Sequence, residues 1–168
     1  MKLDITEQML FALLRSALHA THADATIFAG ITSEAWQECY RLSVRQGVMA
    51  LAWDGLITLP TELQPPKSLK INWWLAVERC EKKYRYYCRV ISDLSTFYAT
   101  HGITAVQLKG VGFANNYPIP SHREGGDIDI FTYSADSSGL SDREANSLAD
   151  KLMRGRGIEV DFSHSQKH

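Results

Sequence analysis

The chain has 168 residues, 45% of them apolar and 22% charged, with a formal net charge of −1, enough for one ordinary domain or two small ones around a real core. The near-neutral balance argues against a dominant nucleic-acid footprint, which needs an excess of Lys and Arg, and leaves room only for a local basic patch. Cys39, Cys80 and Cys88 fit no disulfide or zinc spacing, the start carries no signal-peptide pattern, and no apolar run approaches the about 18 to 20 residues of a membrane span. Reduced thiols, no membrane partner and a cytoplasmic location are therefore expected.

In chain order, Met9, Leu10, Leu13, Leu14 and Leu18 recur at helical spacing from Thr6 to about His19, with Thr6 as the expected N-cap. A connection from Thr21 to Gly30 leads to a second helix that starts at Thr32-Ser33-Glu34 and runs to Gly47. A third covers Val48 to Asp54. The Arg45–Val48 turn between them hints at a helix-turn-helix, but no basic recognition face follows, so plain helix packing is expected. Leu59-Pro60 and Pro65-Pro66 bracket a turn. From Ser68 to Thr100 the apolar series Trp73, Trp74, Val77, Cys80, Tyr84, Tyr87, Cys88, Ile91, Leu94 and Tyr98 predicts one long helix of roughly 45 to 50 Å. Within it Lys82-Lys83-Tyr84-Arg85-Tyr86-Tyr87 with Arg89 reads as tyrosines at the core margin and solvated cations, the alternative being a nucleic-acid surface.

His101-Gly102 stops that helix, and Ile103 to Leu108 predicts a buried strand. A short helix over Val111 to Asn116, the Tyr117-Pro118-Ile119-Pro120 turn and a strand from Asp127 to Tyr133 follow. Ala135 to Ser141 reads as a loop, Asp142 as the cap of a helix to Gly155 or Gly157, and Ile158 to Phe162 as a last strand. The expected fold class is α+β: an all-helical region over residues 1–66, then the long helix and a small mixed sheet with flanking helices over 67–168.

Chemistry concentrates between Leu108 and Phe131. Asp127 and Asp129, at i and i+2 of a strand, would share one face while Ile128 and Ile130 enter the core. Two carboxylates side by side repel unless a hard cation such as Mg²⁺ lies between them, and such an ion takes phosphate oxygens as further ligands. Taken alone, an Asp-x-Asp pair is more often a solvated strand edge than a metal site; the preceding Lys-Gly and Arg-x-x-Gly context reverses that preference. His122, His164 and His168 are a metal trio only on paper, and unrelated surface positions are the expectation for them.

Leu108-Lys109-Gly110, Tyr117-Pro118-Ile119-Pro120, Arg123 and Gly126-Asp127-Ile128-Asp129, in this order and spacing, resemble the signature of the uncharacterised nucleotidyltransferases within the DNA polymerase beta-like nucleotidyltransferase superfamily. The resemblance implies that superfamily's fold and transfer of a nucleoside monophosphate from an NTP to the hydroxyl of a small molecule, protein or RNA. It implies Asp127 and Asp129 as catalytic ligands of Mg²⁺, in a two-metal site, and Lys109, Gly110, Arg123 and Gly126 around the nucleotide. Gly110 would admit a triphosphate to backbone N–H groups at a helix start, Arg123 would hold a phosphate with its fork, and Lys109 would act as a point charge. Lys109 pairing with an aspartate, and Arg123 tying its loop to Asp127 or Glu124, are the structural alternatives.

Gly110-Val111-Gly112 departs from the Gly-Ser or Gly-Gly turn of the wider superfamily. The third carboxylate is expected from Glu159, Asp161 or a residue beyond the chain end. Ser165-Gln166-Lys167-His168 resembles the Ser-x-Lys-His element that precedes it, so the core is expected to be incomplete at its C-terminus. Two other readings follow: a non-catalytic nucleotide-binding or regulatory module that keeps the fold, and, more remotely, the metal clamp of a nucleotide-sugar glycosyltransferase.

Overall fold

Three of the helices start at short polar side chains that satisfy the first free N–H groups. Asp4, rather than Thr6, caps the first helix α1 (Ile5–His19): its carboxylate accepts the Glu7 N–H at 2.8 Å while Glu7 accepts the Asp4 N–H at 3.0 Å. The reciprocal pair with Glu7 is what Thr6 could not form. Thr32 caps α2 (Ser33–Arg45), as expected, accepting from Ala35 at 3.3 Å. α3 (Met49–Leu56) runs two residues past Asp54 because Leu56 is fully buried.

The computed structural model describes residues 3–135 and 138–158. It divides into two compact units, one of Met1–Cys88 with Gly110–Ile128, the other of Arg89–Lys109 with Asp129–His168. The long helix α4 (Lys67–Ala99) contributes to both. None of the helices among the described residues is long and apolar enough to cross a membrane.

The first unit is built around Met9, Leu13, Phe28, Trp36, Cys39, Leu56 and Trp73, all nearly or fully buried. Phe28 stacks on Trp36 at 5.4 Å, and the buried Trp73 indole N–H donates to Met49 O at 2.9 Å. Trp73 and Trp74 were both expected on the apolar face, but Trp74 is 47% exposed. Neighbours on a helix point about 100° apart, so only one of the pair can enter the core. α1 and α3 meet at Gly55, where a Cβ would lie 2.1 Å from Leu13 O. α5 (Val111–Ala114) is a single turn, shorter than expected, entered through Gly110 at φ 71° and ψ −128°, a backbone region open in practice to glycine.

In the second unit, β1 (Ile103–Gln107) pairs antiparallel with β2 (Ile130–Ser134), from Ile103 opposite Ser134 to Gln107 opposite Ile130. Tyr98 and Ile103 pack there with Ala145, Ala149 and Met153 of α6 (Asp142–Gly155). Ser141, one residue before the expected Asp142, caps α6 in a second reciprocal pair with Glu144. The expected mixed sheet appears among the described residues as this one antiparallel pair. The last expected strand, from Ile158 to Phe162, lies outside them from residue 159 onward.

The strand expected from Asp127 begins only at Ile130. One further bond, from Leu108 N–H to Asp129 O at 3.0 Å, continues the ladder, which then runs out of partner backbone as the chain turns at Gly110. Asp129 therefore sits at the ladder's end and Asp127 precedes it.

Gly55→Ala tests the packing of α1 on α3. At an exposed helical site this change stabilises by about 1 kcal/mol. Here the methyl group meets backbone, and a loss of about 2 to 3 kcal/mol in urea-unfolding free energy is expected.

Candidate functional site: a stitched strap over a cationic cavity

After the Tyr117–Pro120 turn the chain forms one 3-10 turn, Pro120–His122, and then a strap without regular structure. An irregular segment must find partners for its polar groups outside any ladder or helix. Here α3 and α4 supply them. Cys80 Sγ lies 3.5 Å from Ser121 O, the Ala50 N–H donates to Glu124 Oε1 at 3.2 Å, and the Tyr87 hydroxyl donates to Gly126 O at 2.8 Å.

The tightest stitch is His122. Far from being a surface residue, it is 5% exposed, with Nδ1 2.8 Å from both carboxylate oxygens of Asp54 and Nε2 3.1 Å from Glu81 Oε1. Both partners are acceptors, so both ring nitrogens must donate, which only the imidazolium form can do. Burial, the largest single influence, pulls the His122 pKa down, but the two carboxylates more than offset it and hold it above the ordinary value. Glu81 is held below its ordinary value, first by the hydrogen bond from His122. His164 and His168, the other members of the paper trio, lie outside the described residues.

The strap walls a cavity of about 320 Å³ whose other side is α4 and α2. Gly110, Arg123, Glu124, Gly125 and Asp127 line it together with Arg79, Lys83, Tyr84 and Tyr87. Three of those side chains are cations, and none of the three pairs with a described carboxylate. Lys83 Nζ lies 5.4 Å over the Tyr87 ring. Cys80 also faces the cavity, but burial and then the Glu124 charge push its thiol up to about 11, so it stays neutral. A smaller cavity of about 260 Å³ against α1 contains none of the signature residues.

Of the residues singled out in the sequence, Gly110, Arg123 and Asp127 line the cavity, and Gly126 holds Tyr87 through its carbonyl. Arg123 forms no ion pair with Asp127 or Glu124. Lys109 does pair: its Nζ is 3.2 Å from Asp129 Oδ2 in the second unit. That oxygen is buried and accepts no aligned hydrogen bond, so it keeps a lone pair free beside a positive charge. Two aspartates are an all-oxygen donor set of the kind Mg²⁺ prefers. Among the described residues no group of three or more His, Cys, Asp or Glu converges as a metal shell. Glu159 and Asp161, named for a third carboxylate, lie outside those residues, as does the Ser165–His168 element.

The family description "Uncharacterised nucleotidyltransferase" matches residues 32–166. The chain belongs to this family. No curated protein matches it, and no solved structure does.

Sequence reasoning missed Arg79, Lys83, Tyr84 and Tyr87 as cavity residues. The signal was present, since positions 79, 83 and 87 recur every four residues along one helix face. Asp54, Glu81 and His122 gave none, being 68 and 41 residues apart along the chain.

His122→Ala leaves Asp54 and Glu81 facing each other without a donor, and a loss of about 2 to 3 kcal/mol at pH 6 is expected in urea unfolding. Because the His122 pKa is raised on folding, its contribution is complete below the ordinary value of 6.5 and fades as pH rises through the higher folded value. Glu81, lowered on folding, contributes above its ordinary 4.5 and loses that as pH falls. The wild type should therefore lose stability as pH rises above 6.5 through the higher folded value, where the variant shows no such decline.

Proposed function

We propose that the chain is an Mg²⁺-dependent nucleotidyltransferase that moves a nucleoside monophosphate from an NTP to an acceptor hydroxyl. One observation carries the reading: Gly110, Arg123 and Asp127, separate in sequence, line one cavity in which Arg123 has no carboxylate partner. An unpaired guanidinium beside the exposed backbone of Gly125 suits a phosphate better than any group already in the protein.

In this reading Arg123 takes a phosphate oxygen pair, and Gly110 lets the phosphates approach backbone without meeting a Cβ. Gly126 holds the strap in place through its carbonyl. Asp127 and Asp129 are the Mg²⁺ ligands, with Lys109 orienting the Asp129 carboxylate until metal and nucleotide arrive. When bound, Mg²⁺ would neutralise phosphate charge during in-line displacement, and two ions are compatible with such chemistry. The acceptor oxygen bonds to the α-phosphorus and gives up its proton to solvent as the bond to the α,β-bridging oxygen breaks, and pyrophosphate leaves. The neutral Cys80 thiol takes no part.

A second reading keeps the same cavity as a nucleotide-binding or regulatory module without turnover. It is favoured by the two-carboxylate count among the described residues.

The two separate in one experiment. Labelled NTPs, Mg²⁺ and a cell extract supplying acceptors should give transfer that Asp127→Asn with Asp129→Asn lowers by at least about 100-fold. Equal transfer by wild type and double variant sinks the enzymatic reading. Mg-NTP binding by calorimetry without any transfer favours the binding module.

A further inference from the structure

Arg79 and Lys83 lie outside the signature segment, on α4, and both are exposed. They stand four residues apart on α4, so their side chains leave the same helix face about 5 to 6 Å from each other. Both line the cavity that holds Arg123 and Asp127. Neither pairs with a described carboxylate, whereas Arg85, one turn away on another face, is matched by Glu81 at 3.4 Å. The cavity's own acids, Glu124 and Asp127, form no ion pair with either of them.

Arg79, Lys83 and Arg123 outnumber the lining carboxylates Glu124 and Asp127, and an unpaired excess of like charge is most readily completed by an anion. The volume of about 320 Å³ is at the small end for ligand sites. It is large enough for one compact polyanion.

We propose that Arg79 and Lys83 form a polyphosphate subsite that grips the β- and γ-phosphates of the bound nucleotide, the part that leaves as pyrophosphate. The inference rests on the cavity being the nucleotide site, and it extends that site from the strap to α4. Arg123 and the pair on α4 then divide the triphosphate between them. Arg79 offers a planar fork to two oxygens, and Lys83, steadied over the Tyr87 ring, offers a point charge. The group is a substrate-binding one: it holds what departs and needs no metal to do so.

That independence from metal makes it testable apart from turnover. The full chain is titrated calorimetrically with inorganic tripolyphosphate in EDTA. Arg79→Ala and Lys83→Ala should each weaken binding by about tenfold, with Arg79→Lys retaining part of the affinity. Lys82→Ala, removing an exposed neighbour that does not line the cavity, should leave it unchanged. The paired variant Asp127→Asn with Asp129→Asn should bind tripolyphosphate at least as tightly as wild type, since it loses negative charge.

Tripolyphosphate affinity that is the same in Arg79→Ala, Lys83→Ala and Lys82→Ala overturns the subsite. So does dependence on Arg79 and Lys83 that appears for a single-stranded oligonucleotide but not for tripolyphosphate. If wild type transfers label from NTP while both variants keep wild-type affinity and KM, the subsite falls and the enzymatic function stands. If tripolyphosphate binding depends on both residues and no transfer occurs, the function falls and the subsite stands.

Discussion

A histidine can donate from both ring nitrogens only while it carries a proton. His122, buried between Asp54 and Glu81, is held to that form by its partners on both sides. This single charge fastens the strap to α3 and α4 together. Without it, Ser121, Glu124 and Gly126 would keep their separate hydrogen bonds but lose the buried point they are arranged around. The arrangement has an electrostatic cost, since three charges leave water. Only the completeness of the hydrogen bonding makes it favourable, so losing any member should cost more than the member's own contribution.

Fixing the strap fixes where its remaining side chains point. His122 faces the protein interior, and Arg123, with Gly125 and Asp127, lines the cavity. Arg123 forms no ion pair with a described carboxylate, which leaves its charge available. Lys109 is the opposite case: exposed and flexible, it is placed by its ion pair with Asp129. Two cations that look alike in the signature therefore have different local states, one unpaired beside a fixed backbone and one engaged with a carboxylate.

Helix positions were the most legible part of the sequence because they depend on periodicity and short-range caps. Their errors were local, as when Asp4 displaced Thr6 through its exchange with Glu7. The strand at Asp127 was misplaced for a long-range reason. Alternation of Asp, Ile, Asp and Ile satisfies strand chemistry, but a strand exists only where another backbone lies opposite, and β1 ends at Gln107. The signature located Gly110, Arg123 and Asp127 because their order and spacing lie within one segment. It was silent about Asp54 and Glu81, whose link to His122 is made by folding alone. Arg79 and Lys83 fell between these cases: their common helix face could be read, but not what that face looks onto.

α4 joins these features. Trp73 and Val77 bury one face in the core, Cys80 and Glu81 hold the strap, and Arg79, Lys83 and Tyr87 line the cavity, all within four turns. A helix segment anchored by a fully buried tryptophan changes register only by breaking many contacts at once, so the distances between its successive turns serve as a rigid scale. The strap is fastened at Glu81 and Tyr87, which bracket Lys83 on that scale. The backbone positions from which the cations of α4 and of the strap reach the cavity are thereby fixed, and a fixed backbone lowers the cost of ordering those side chains around an anion.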